Sequence, residues 1–209
     1  MQPAAMLCVM DRVTTGDGLR ERGKAKRRAA ITHAAFGLFA AQGYDATTIA
    51  EIAAAAEVSP RTVTLYFRSK QDIAFATFDA SVLNLTEILR GRGPGESAVH
   101  ALEGWLREEM ACLDETDELE LRMFEVNPEL RAVRTARMAA AIEEGARIIA
   151  EDTGQAPDGI GPRLAAAAAA AVVTEIFEHA KGSDRDQAIS AAMTFLTGGI
   201  EAMTASARH

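Results

Sequence analysis

The chain has 209 residues, 48% hydrophobic and 25% charged, with a formal net charge of −8. That length suits one large or two small domains around a sizeable core. Its two cysteines, Cys8 and Cys112, do not make a disulfide framework, and Cys112 is expected as a core thiol. No basic segment precedes an apolar core at the start, and no apolar run looks long enough to span a membrane, so a cytoplasmic protein without a membrane partner is expected.

The charge is unevenly spread. Residues 1–70 carry ten Lys+Arg and six Asp+Glu, while residues 71–209 carry twelve and twenty-four. A basic end on an acidic body suits a DNA-binding domain joined to something else.

In chain order, residues 1–18 lack periodicity and read as a disordered extension, with Met1, Met6 and Met10 as alternative starts. The densest basic run follows: Arg20, Arg22, Lys24, Lys26, Arg27 and Arg28. A first helix then places Ile31, Ala34, Ala35, Leu38 and Phe39 on one stripe, and Gly43 ends it. Thr48 and Glu51 form a capping box for a short second helix with Ile49, Ile52 and Ala53 on one face. Ser59 caps a third helix, and Pro60 suits its first turn. Val63 and Phe67 face inward there, leaving Arg61, Thr62, Thr64, Leu65 and Tyr66 pointing elsewhere. Ser69 starts a fourth helix over residues 70–89, broken by Arg90-Gly91-Arg92-Gly93-Pro94-Gly95.

The remainder reads as helices over 96–113, 118–126, 128–152, 163–180 and 183–206. The fold class is therefore all-α with about nine helices. The expected organisation is a helix-turn-helix domain over 19–69 and a helical effector and dimerisation domain over 70–209.

A short helix, a turn and a second helix bearing Arg, Thr and Tyr is the layout of a DNA-reading helix-turn-helix. Arg61 can reach guanine O6 and N7, Thr62 and Thr64 can bond base edges or phosphates, and Leu65 can pack on a thymine methyl. Arg27 and Arg28 add backbone contacts.

The chain resembles TetR-type transcriptional regulators over about residues 22–78. The likeness is carried by Ala34-Ala35-x-x-Leu38-Phe39-Ala40-x-x-Gly43-Tyr44, Thr47-Thr48-Ile49-x-x-Ile52-Ala53, Val58-Ser59 and Tyr66-Phe67-x-Ser69-Lys70. It implies phosphate contacts from Tyr66, Lys70 and one of Thr47 or Thr48. Glu57 departs from the family pattern, which has Gly in that turn.

The resemblance also implies a small effector held by the C-terminal helices. Trp105, Met110, Met123, Phe124, Met138 and Phe177 are the apolar candidates, and His100, Arg107, Arg122 and Arg134 the polar ones. Residues 123–131 resemble a segment of actinobacterial members, some of which answer to acyl-CoA thioesters. Acyl chains are thus first candidates and aromatic compounds second. Ala165–Ala171 and Gly198-Gly199 thin the last two helices for close packing, and the family pairs them as a homodimer.

Enzyme chemistry lacks its residues. No Glu-x-x-His pair precedes any of the four histidines, and there is no Gly-rich phosphate loop or nucleophile elbow. No cofactor and no metal are expected. The expected function is a ligand-responsive repressor of a palindromic operator; the alternative is a helical protein-interaction adaptor with a vestigial helix-turn-helix.

Overall fold

The structure, a computed structural model, describes residues 19–93, 95–180, 182 and 184–206. Those residues form ten α-helices and no strand: α1 Leu19–Gln42, α2 Ile49–Ala55, α3 Pro60–Tyr66, α4 Lys70–Ala74, α5 Ala76–Gly91, α6 Ala98–Cys112, α7 Glu115–Val126, α8 Pro128–Thr153, α9 Ile160–His179 and α10 Asp184–Ser206. The expected extension over 1–18, with Cys8, and Ser183 at the expected start of the last helix lie outside the described residues.

Three differences from the sequence reading stand out. The helix expected over 70–89 is two helices, because Phe75 leaves helical geometry (φ −110°, ψ 10°). The basic run is itself helical, since α1 begins at Leu19. Cys112 is half-buried rather than in the core.

The chain forms two compact units, each discontinuous in sequence. One takes Cys112–Thr135 together with the chain up to Ser81; the other takes Val82–Ala111 and everything from Ala136 onward. The core of the first unit gathers Ile31, Phe36 and Phe39 from α1, Ile52 from α2, Val63 from α3, Ile73 from α4, and Met123 and Phe124 from α7. Each large apolar side chain buried there contributes roughly 1.5–3 kcal/mol. α7 is fixed at its start by Asp114, whose carboxylate accepts from Thr116 N at 2.7 Å. The Asp114 N–H in turn donates to Asp117 at 2.8 Å, completing a capping box.

The second unit buries Leu102, Trp105, Leu106 and Met110 of α6, Ile176 of α9, and Ile189, Met193 and Leu196 of α10. Helices α8 and α9 cross closely through small residues: a Cβ at Gly145 would lie 3.4 Å from that of Ala166. Arg107 of α6 pairs with Asp186 at 2.7 Å and donates to Ser190 at 3.1 Å, tying α6 to α10.

α9, at 20 residues and a mean hydropathy of 1.4, reaches membrane-crossing length and apolarity by composition alone, and one such helix does not make a membrane span.

Candidate nucleic-acid interface

The α2–turn–α3 pair owes its shape to local chemistry. Thr48 Oγ1 accepts from Glu51 N at 3.2 Å, and the Glu51 carboxylate accepts from Thr48 N and Thr48 Oγ1, both at 2.7 Å. These bonds lower the Glu51 pKa. Ser59 Oγ accepts from Thr62 N at 3.0 Å and starts α3, with Pro60 in its first turn. Between the helices Glu57 adopts φ +54°, the left-handed conformation that glycine takes most easily. The turn thus takes a glycine-like conformation with Glu57 in place.

α3 divides cleanly. Val63 is fully buried and Phe67 closes the helix into the core. Arg61, Thr64 and Leu65 are exposed, and Leu65, at 80%, is the most exposed large apolar side chain among the described residues. A leucine held out in water beside an arginine is placed to meet a groove, not a core. Thr62 is half-buried, its hydroxyl 2.8 Å from Ser59 Oγ, and Tyr66 is half-buried as well.

The flanking candidates separate into exposed and engaged groups. Thr48 is exposed, whereas Thr47 is buried and its hydroxyl donates to Gly43 O at 2.7 Å. Of that pair, only Thr48 faces solvent. Arg27 is exposed, but Arg28 lies 4.4 Å over the Phe67 ring and donates to Tyr66 O at 3.4 Å. Burial lowers the Arg28 pKa, with Asp72 and Asp79 acting against it. The Lys70 ammonium donates to Tyr44 O at 2.5 Å, Thr47 O at 2.9 Å and Asp45 O at 3.3 Å. It thereby pins the α1–α2 turn as well as placing a positive charge beside it.

Two residues here escaped the sequence reading. Arg68 is exposed between α3 and α4, at the unspecified position of the Tyr66-Phe67-x-Ser69-Lys70 motif. Asn127 reads as a cap for α8, yet its side chain bonds Tyr44, Phe39 and Met123 instead.

The effector candidates fall into both units. Met123 and Phe124 are core residues of the first unit, where Phe124 packs against Phe75 with ring centroids 5.5 Å apart. Trp105, Met110, Met138 and Phe177 belong to the second. There Trp105 lies 6.2 Å from Phe177, and its indole N–H is buried without a hydrogen-bond partner among the described residues. Of the polar candidates, Arg107 is paired as above and Arg134 lies 4.8 Å over the Phe124 ring, while His100 and Arg122 are exposed. Among the described residues no group of His, Cys, Asp or Glu is arranged to hold a metal.

Comparison with known proteins agrees with this geometry. Residues 31–77 match the model for bacterial regulatory proteins of the tetR family, and residues 97–201 match that for the MftR C-terminal domain. The HTH-type transcriptional regulator TcmR of Streptomyces glaucescens is 33% identical over 168 residues, covering 75% of this chain and 74% of that one. The chain belongs to the TetR family. It is a DNA-binding transcriptional regulator. Two solved structures share the fold, each at a TM-score of 0.60 and 22% identity. One is the SmeT–triclosan complex, matched over 82% of this chain and 90% of that one. The other is NalD, the secondary repressor of the MexAB-OprM multidrug efflux pump in Pseudomonas aeruginosa, matched over 85% and 96%.

Proposed function

We propose that this regulator is a homodimeric repressor, acting in the cytoplasm, that leaves a palindromic operator when a small apolar or amphiphilic effector enters the second unit. The observation that carries the effector reading is Trp105. A buried donor without a partner costs roughly 1–3 kcal/mol, and a ligand oxygen accepting from the indole Nε1 would recover that cost. Phe177 supplies apolar surface beside it. The effector class is therefore an acyl or aromatic compound with a hydrogen-bond acceptor. SmeT, by its description, binds such an aromatic compound, triclosan.

A ligand releases DNA only through differential affinity for two conformations of the dimer. The favoured one must separate the two α3 helices so that they no longer match successive major grooves. The test is to titrate acyl thioesters, fatty acids and aromatic compounds while following Trp105 fluorescence and operator release together. Coincident changes for one class support the reading. A ligand that perturbs Trp105 yet leaves operator affinity unchanged overturns induction by that class.

A further inference from the structure

We propose that the first turns of α1, residues 19–27, are a cationic arm that grips the phosphates of the duplex flanking the operator; this rests on α3 being the DNA-reading helix. α1 begins at Leu19, yet among residues 20–28 none is buried, and the first buried residue is Ala29. That segment carries Arg20, Arg22, Lys24, Lys26, Arg27 and Arg28 against one acid, Glu21. A helical step of 100° sets Arg20, Lys24 and Arg27 on one side and Arg22 and Lys26 on the other, so the arm is cationic all round. A helix without an apolar stripe, shorter than about 12 residues, has little stability of its own in water, and Gly23 weakens it further.

Most of this charge is unspent. Lys24 pairs with Glu21 at 2.6 Å, while Arg20, Arg22, Lys26 and Arg27 engage no carboxylate among the described residues. The point of departure is fixed by Arg28, which bonds Tyr66 O and covers the Phe67 ring at the C-terminal end of α3. From there nine residues reach about 13 Å, roughly four base-pair steps along the duplex. A lipid surface is the other polyanion such charge would suit, but a helix that lies on a membrane needs an apolar face, and this one has none.

The experiment measures how affinity depends on salt for two duplexes, a minimal operator and the same operator extended on both sides. Wild type should show a steeper dependence on the extended duplex, by about 0.9 units for each phosphate neutralised. The fourfold variant Arg20→Ala, Arg22→Ala, Lys24→Ala, Lys26→Ala should erase the difference between the duplexes while ranking operator sequences as wild type does. The double variant Arg20→Glu, Arg22→Glu places acids in the first turn, which favours the helix. It should nonetheless weaken binding to the extended duplex more than to the minimal one. Wild-type slopes from both variants on both duplexes overturn the arm and leave α3 untouched. A wild-type protein that prefers no operator over random DNA overturns the reading of α3, and the arm with it.

Discussion

The side-chain oxygen of Asn127 accepts a hydrogen bond from the backbone N–H of Tyr44 at 2.7 Å. The amide nitrogen donates to Phe39 O at 3.0 Å and Met123 O at 2.7 Å. Asn127 is 2% exposed, so one buried amide joins the end of α1, the turn before α2 and the end of α7. Asn127→Ala leaves those groups short of partners and should cost about 2–4 kcal/mol of stability. Urea unfolding measures it; a loss below about 0.5 kcal/mol would show that the three groups find other partners. Operator affinity should fall too, because the turn that Asn127 holds leads into Thr48.

Lys70 holds the same turn from the other side. Lys70→Ala removes three charge-assisted bonds and one cation near the DNA face. It should lower stability by about 1–3 kcal/mol and weaken binding to every DNA sequence alike, flattening the salt dependence by about one unit. Arg61→Ala should instead leave the fold intact and cost about 1–3 kcal/mol at a preferred base, relaxing specificity there. An unchanged ranking of operator variants would remove Arg61 from base reading.

The helix-turn-helix was legible because its signals are local: caps at Thr48 and Ser59, a first-turn proline, and apolar residues one turn apart. The turn was less legible: Glu57 in place of the family glycine suggested a turn of slightly different geometry, yet Glu57 adopts the left-handed conformation that glycine takes most easily. Other features were not legible. Phe75 breaks the helix without Gly or Pro, and its ring packs against Phe124, a contact that no local sequence window contains. The basic run has no apolar period, so its helicity leaves no pattern. Met123 and Phe124 are apolar enough to be buried anywhere, and only tertiary packing assigns them to the core beside α1. Asn127 before Pro128 looks like a cap, because the carbonyl and amide groups it meets are up to 88 residues away in sequence.

Glu57 stores strain. A non-glycine residue in left-handed geometry costs about 1–2 kcal/mol, whereas glycine loses about 0.4–1 kcal/mol of chain entropy on folding. Glu57→Gly should therefore stabilise the protein by about 0.5–1 kcal/mol. Equilibrium unfolding decides the sign, and a destabilised variant would show that the Glu57 side chain contributes more than its backbone costs.

Two acids of α7 give the first unit a pH dependence. Burial raises Glu120 to about 8, aided by Asp117 and Asp79 and opposed by Arg134. Burial likewise raises Asp117 to about 6. A folded state that keeps a proton the unfolded chain has released loses stability as pH rises. For Glu120 that loss begins above the ordinary value of 4.5 and is complete above about 8, with a slope of at most about 1.4 kcal/mol per pH unit. Glu120→Gln cannot ionise, so its stability should fall less than that of wild type between pH 5 and pH 8. Parallel curves for the two proteins would show that Glu120 is ionised in the folded state throughout.

The proposed dimer surface rests on what α9 and α10 leave exposed. Ala165 and Ala166 pack into the core of their own unit with Ile149 and are unavailable to a second copy. Leu164 is 57% exposed and Phe195 66%, which leaves a large apolar side chain open on each of these helices. Ala168 is half-buried and Ala171 exposed, on the turns of α9 that follow Leu164 at helical spacing. Pairing these faces in a four-helix bundle would cover them, as the small residues of both helices allow. Leu164→Arg and Phe195→Arg should each give monomers that retain helical content, and Ala168→Arg should do so less completely. Operator affinity should drop by about 100-fold or more, because a monomer forfeits the linked second half-site. Light scattering at micromolar concentration reads the assembly directly. Dimers from all three variants would place the interface elsewhere on the protein.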